Sequence, residues 1–300
     1  MVNFTLVIEL TLVGIAFGAL YSLAALGIVL IYKTTGVLNF AHGAIGMFST
    51  FIAYEFGVVR GWPPAVAVLL ALAFAAVFGW VMERFTLRPL RERPVLTRVI
   101  VTLGWLLVLQ SVASLIWKDT SYHIPLQIFP QSGIRIAQLT LGYNQIANIV
   151  VAAVLAVLLA LFLRLSPLGV AMRATSDNPT AARLLGIQVN RVAASSWIMG
   201  SLMAAIAGLL LAPLTTLNTT QLTIVVITAF GAALIGGLTS LPLTFFGGIF
   251  LGVAQSLLTL LPTRTAGLKD VLTFAVILAV LLIRKEVRVL AISAMGGEGL

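Results

Sequence analysis

Uncharged apolar runs about as long as a bilayer is thick recur along this chain. The first, TLVGIAFGALYSLAALGIVLIY, fills residues 11–32. Hydrocarbon offers the backbone no hydrogen-bond partner, so spanning segments are helices or closed barrels. Barrel strands alternate apolar with polar residues; these runs are apolar throughout, which selects the helix. A crossing needs about 20 residues. The pattern predicts spans at 6–31, 36–56, 62–82, 99–117, 144–165, 192–216, 222–238, 243–261 and 270–283. The chain reads as an all-α polytopic membrane protein with about 8–9 transmembrane helices. The second and seventh spans are glycine-rich and are expected to be broken or re-entrant. Only 9% of the 300 residues are charged, against about 25% in soluble domains. No polar stretch is long enough to fold alone, so residues 1–300 form one transmembrane domain.

Basic residues set the orientation, because cytoplasmic loops are enriched in Lys and Arg. Lys33, the segment with Arg84, Arg88, Arg91, Arg93 and Arg98, the segment with Arg164, Arg173, Arg183 and Arg191, and the tail with Arg284, Lys285 and Arg288 fall on one side of a nine-span chain, 13 residues in all. The other side has five: Arg60, Lys118, Arg135, Arg264 and Lys269. The richer side is expected to be cytoplasmic, with the C-terminus inside and the N-terminus outside; an eight-span count reverses the N-terminus. The net charge of +9 is read as this asymmetry, not as a nucleic-acid footprint. No Lys or Arg precedes Lys33, so the first run lacks the basic region of a cleaved leader and is read as a retained span. The longest outside segment, 118–143, carries alternation around IRIAQLTL and suggests a small structured cap such as a hairpin.

Reactive chemistry is sparse. Cysteine is absent, which excludes disulfides and thiolate-ligated metals. HExxH, GxSxG and a P-loop are all missing, so no cofactor and no nucleotide site of Walker type is called for. The acids fall in loops or near span ends, and none sits clearly at the membrane midplane. A proton-driven carrier relies on such a group, and only His42 could serve. Transport powered from elsewhere fits this absence, and so does a purely structural subunit.

GVLNFAHGAIGMF, Gly36 to Phe48, is the most informative span. Asn39 and His42 are three apart and share a helix face; Gly36, Gly43 and Gly46 permit a break or a close neighbour. Glycine-interrupted spans point to a translocation path, although the same residues can simply pack helices together. Asn39, His42 and Gly43 are candidates for the path. Thr216, Asn218 and Thr220, from the polar run TTLNTTQLT, are candidates for an outer vestibule. GAALIGGLTSLPLTFFGGIFLG, Gly231 to Gly252, reads as two closely packed helices joined by a Thr-Ser turn with Pro242.

The loop RATSDNPTAARLLGI, Arg173 to Ile187, is polar and lies between two apolar runs. Ser176, Asp177 or Asn178 can cap a short helix, Pro179 suits its first turn, and Gly186 suits its end. Ala182, Leu185 and Ile187 cannot all face water comfortably. Such a helix either rests on lipid headgroups or docks against a protein.

GVLNFAHG, RATSDNPTAARLLGI and GGLTSLPLTFFGG together resemble the LivH-type permeases of ABC importers for branched-chain amino acids, in the right order over nearly the whole chain. The loop is similar to that family's coupling loop, with Ala181, Ala182 and Gly186 at the Ala-Ala-x-x-x-Gly positions. The resemblance implies an ATPase-coupling loop over 166–191 that uses Arg173, Asp177, Asn178, Ala181, Ala182, Leu185 and Gly186. It implies a second, LivM-like permease, two cytoplasmic ATP-binding-cassette ATPases and a periplasmic or lipid-anchored solute-binding protein, all at a bacterial cytoplasmic membrane. Thr180 stands where such loops carry an acid, and Ala44 where many relatives have Glu. Permeases of this kind also carry urea or short amides, and an energy-independent channel is the reading from another class.

Overall fold

The computed structural model describes residues 4–118, 132–136, 139–215, 217–219, 221–260 and 267–283. Among these, the helices are α1 (Phe4–Thr35), α2 (His42–Tyr54), α3 (Pro64–Val81), α4 (Val95–Trp117), α5 (Tyr143–Leu165), α6 (Pro167–Asp177), α7 (Pro179–Leu184), α8 (Val189–Leu211), α9 (Gln221–Ile235), α10 (Leu241–Leu257) and α11 (Leu268–Ile283). π-helical turns extend α2 over Glu55–Val59 and α3 over Met82–Leu87. Six of these helices, α1, α3, α4, α5, α8 and α10, are long and apolar enough to cross a membrane. α2, α9 and α11 are apolar but shorter. The architecture is an all-α membrane bundle, as the apolar periodicity predicts.

The segment expected to lie outside contributes an antiparallel hairpin, β1 (Gly133–Ile136) paired with β2 (Leu139–Gly142), with Gly133 opposite Gly142 and Ile136 opposite Leu139. The remainder of the expected cap, 119–131, lies outside the described residues, as do Arg264, Arg284, Lys285 and Arg288.

α1 is the centre of the bundle. Of its most apolar window 83% is buried, against 17% for α4 and 22% for α5, whose side chains are largely exposed in the chain. In lipid the hydrophobic effect cannot pull helices together, so close backbone approach must. α1 and α10 meet through four glycines. A Cβ on Gly14 would stand 2.6 Å from Val253 Cα, and one on Gly18 2.6 Å from Ile249 Cα. From the other side, Gly248 faces Ser22, and Gly252 faces the backbone of Gly14 and Gly18. Two hydroxyls pin the crossing: Ser22 Oγ donates to Phe245 O (2.5 Å) and Ser256 Oγ to Leu10 O (2.7 Å). Gln255 Nε2 donates to Thr228 Oγ1 (3.3 Å) and Thr273 Oγ1 (2.7 Å), tying α10 to α9 and α11.

The glycine-rich segment 231–252 is the expected pair of helices with a tight turn. Ser240 Oγ caps α10 by accepting from Leu243 N (3.4 Å), and the turn places Gly237 at φ +64° and Leu238 at φ +58°. Gly247 faces Ile235 of α9 while Gly248 faces α1, so the double glycine serves two neighbours. The seventh span is a short continuous helix and is not broken. The second is broken, as described below.

Gly18→Leu should abolish recovery of monodisperse protein, since overpacking costs about 1–3 kcal/mol even where neighbours can shift and backbone here cannot. Gly104, on α4, has no atom within 4 Å of a Cβ position. Gly104→Ala should therefore raise thermal stability, by about 1 kcal/mol of helix propensity. Size-exclusion yield and thermal melts in detergent read both.

Candidate functional site

α1 ends at Gly36, whose φ of +66° and N–H to Tyr32 O (2.8 Å) turn the chain back. Residues 37–41 then re-enter the bundle without forming a helix. α4 braces them: Phe40 N donates to Thr102 Oγ1 (3.2 Å), and Arg98 Nη1 donates to Thr35 O (3.3 Å). The Phe40 ring packs on Phe230 of α9 at 4.8 Å. α2 thus begins deep in the bundle: the His42 ring lies against Gly27, about 12 Å along α1 from its end at 1.5 Å per residue. This is the broken span expected from the glycines.

Asn39 and His42 are both fully buried. The His42 ring fits where α1 and α8 come closest. A Cβ on Gly27 would lie 2.7 Å from His42 Cε1 and 3.0 Å from Gly200 O. The ring lies beside the Ala24 backbone, yet neither nitrogen completes an ordinary hydrogen bond, and neither does the Asn39 amide. His42, Gly43 and Gly46 line a cavity of about 20 Å³ between α1, α2, α8 and α9, room for one water. Gly46 presses on Ala204 O of α8, where a Cβ would stand at 2.6 Å. In this conformation the cavity has no room for an amino acid, and Gly27 and Gly46 are in close helix contact. Asn218 is half-buried in the segment after α8, while Thr216 and Thr220 lie outside the described residues.

The basic face is built around a residue that sequence reading placed in a loop. Glu83 lies in the helical extension of α3 and is 1% exposed. Arg88 Nη2 meets its Oε2 at 2.6 Å and Arg91 Nη2 its Oε1 at 2.9 Å. The same guanidiniums reach the start of α8: Arg88 Nη2 donates to Asn190 O (3.3 Å) and Arg91 Nη1 to Asn190 Oδ1. Burial pushes the Arg91 pKa down; Glu83 opposes that shift, and Arg88 and Arg183 add to it. The spacing of one Glu followed by Arg at five and eight residues on was the available signal, since a π turn brings residues five apart together.

The loop after α5 folds as two short helices. Ser166 Oγ caps α6 by accepting from Gly169 N (2.9 Å). α6 turns Met172 and Thr175 inward and leaves Arg173 and Asp177 exposed. Asn178, not Ser176 or Asp177, caps α7: its Oδ1 accepts from Thr180 N (3.0 Å) and Ala181 N (2.9 Å), with Pro179 in the first turn. α7 ends in a Schellman motif, with Ile187 N to Ala182 O (3.0 Å), Gly186 N to Arg183 O (3.0 Å) and Gly186 at φ +82°. Ala182 is 2% exposed and faces the bundle, whereas Leu184 and Leu185 are 85% and 80% exposed. Ala182 therefore seats the helix on the bundle, and the two leucines form its exposed apolar surface.

Among the described residues no group of three His, Asp or Glu side chains gathers to hold a metal. Glu83→Gln should destabilise the chain by about 3 kcal/mol, because it leaves two partly buried guanidiniums unanswered. The loss should appear as a lower melting temperature and as faster hydrogen exchange at the start of α8.

The family model described as branched-chain amino acid transport system / permease component matches residues 10–281. The chain is 30% identical to the high-affinity branched-chain amino acid transport system permease protein LivH of Escherichia coli, covering 90% of this chain and 91% of that protein. It is 33% identical to the corresponding permease BraD of Pseudomonas aeruginosa, over 90% and 92%. A more distant match, 29% identical over 81% of this chain and 70% of the relative, is the fructose import permease protein FrcC of Rhizobium meliloti. No solved structure matches. Similarity to permeases over 90% of the chain marks it as a transport subunit rather than an enzyme. The chain belongs to the family of permease components of branched-chain amino acid transport systems.

Proposed function

We propose that this permease carries branched-chain amino acids across the cytoplasmic membrane, driven by two ATP-binding-cassette ATPases, one of which docks on α7. The observation that carries the coupling reading is α7 itself. It is capped at both ends and seated on the bundle by Ala182, and it presents Leu184 and Leu185 to the outside. Exposed leucines beside Arg173, Asp177 and Arg183 suit a groove on a protein better than water. The solute class rests on the LivH and BraD relatives; the FrcC match indicates that the scaffold does not fix the solute. Selectivity is assigned to a periplasmic or lipid-anchored binding protein, and a LivM-like second permease completes the pore. The C-terminus and the α7 face are assigned to the cytoplasmic side, because Lys33, Arg88, Arg91, Arg98 and Arg183 gather there.

Leu184→Asp with Leu185→Asp should leave insertion and melting temperature unchanged, since both side chains are exposed. It should cut ATPase co-purification and leucine uptake by at least about tenfold, as removing a hot spot of 1.4 kcal/mol or more does. Wild-type ATPase retention in the double variant would overturn the docking assignment. ATPase docking at α7 also fixes its side as cytoplasmic. Leucine, urea and fructose uptake compared in the same proteoliposomes tests the solute class.

Asn39 and His42 are assigned to the path in an opened state, in which α2 separates from α8. Buried groups without partners are costly, and an arriving solute relieves that cost. His42→Ala should lower uptake per assembled complex several-fold with little change in melting temperature. A stability loss proportional to the uptake loss marks His42 as packing alone.

A further inference from the structure

A cavity of about 510 Å³ opens at the basic face, between the end of α1, the α3–α4 connection, α6, α7 and the start of α8. Four cations line it, Lys33, Arg91, Arg98 and Arg183, against one carboxylate, Glu83. Glu83 is already engaged by Arg88 and Arg91, and Lys33, Arg98 and Arg183 form no ion pair among the described residues. The wall also holds three buried polar atoms without a hydrogen-bond partner: Trp197 Nε1, Thr175 Oγ1 and Arg98 Nε. Trp197 is 0% and Thr175 2% exposed, so neither is satisfied by bulk water. An indole N–H and a guanidinium Nε–H can only donate, and a hydroxyl can donate as well. Four cations against one engaged carboxylate, in a wall whose residues also carry unpartnered polar atoms, suit the cavity to a compact, acceptor-rich anion.

We propose that this cavity binds a phosphate group, supplied by the headgroup of an anionic phospholipid in the adjoining leaflet. A phosphate brings several acceptor oxygens to these donors and charge to these cations. A zwitterionic solute suits the cavity less well, because its ammonium would face the same cations. The cavity lies where α1 ends and where α4 and α8 begin, the depth of lipid headgroups, and basic pockets between helices at that depth hold anionic headgroups. Pro179 and Arg183 of α7 form part of the wall. An occupant therefore joins the proposed coupling helix to the bundle, and coupling becomes sensitive to lipid charge. Free phosphate shares the chemistry and is separated from lipid by experiment. The binding site does not depend on which solute is carried.

The full chain in detergent is titrated with phosphatidylglycerol or phosphatidylcholine and followed by native mass spectrometry, with inorganic phosphate as competitor. Phosphatidylglycerol should bind first and at one copy per chain. Arg183→Gln, a change at an exposed side chain, should weaken it about tenfold, the loss of one charge-assisted hydrogen bond. Trp197→Phe removes the donor together with part of a fully buried ring; it should weaken binding several-fold in chains that stay monodisperse, beside some loss of melting temperature. Lys269→Gln, at the start of α11, should have no effect. Displacement by millimolar inorganic phosphate supports the phosphate site and names free phosphate as its occupant; resistance to it names the lipid. Equal binding of the two lipids, or phosphatidylglycerol binding unmoved by Arg183→Gln and Trp197→Phe, overturns the proposal. So does an Arg183→Gln chain that loses only ATPase association.

Discussion

The bundle depends on the contact between α1 and α10. Backbone meets backbone there at distances no Cβ could share, through Gly14, Gly18, Gly248 and Gly252. In a medium as apolar as the side chains, dispersion across a close interface and hydrogen bonds such as Ser22 to Phe245 supply the attraction. Once α1 is clasped by α10, its other faces are fixed for α5, α8 and α9, and α8 in turn presents Gly200 and Ala204 to α1 and α2. The positions of His42, of the re-entrant segment and of the basic face all follow from that clasp.

Much of this was legible in the residues. Apolar run length gives the helical class and most of the spans, because the backbone has no other way to be satisfied in lipid. Gly36 and the polar pair Asn39 and His42 announce a break, since a glycine at positive φ and buried amides suit a chain that turns back into protein. What the sequence withheld was pairing. Gly248 and Gly252 read as a packing surface, but nothing in a single chain says that their partners are Gly14 and Gly18 rather than the neighbouring α9. For the same reason Asn39 and His42 were open to both a pathway and a packing reading, and the small cavity around His42 shows that in this conformation they are packed.

The face that carries α7 shows a second limit of local reading. The cap and the Schellman end of α7 were readable, because each is a contact within four or five residues. Which side of the helix is free was not. Ala182 sits at the centre of the Ala-Ala-x-x-x-Gly pattern, yet it is buried, and the exposed apolar pair is Leu184 and Leu185. Glu83, a carboxylate among arginines, reads as part of a solvated loop. The π turn that ends α3 instead places it against Arg88 and Arg91, whose guanidiniums also reach Asn190, about a hundred residues away in the chain. This cluster locks the α3 end to the start of α8, the helix that follows α7.

The α1–α10 clasp also bears on how the protein is made. The hydrogen bonds that pin it join residues 223 and 246 positions apart. A ribosome adding about 5–20 residues per second needs roughly 10–45 s to cover the shorter interval. For that time α1 stands in the bilayer with its glycine groove and the Ser22 hydroxyl uncovered, while α2 to α9 emerge one after another. Other nascent helices rich in small residues are competitors for the groove throughout. Assembly therefore waits on the C-terminal third of the chain, and premature termination before α10 leaves an inserted product whose first helix has no native partner, a natural substrate for membrane quality-control proteases.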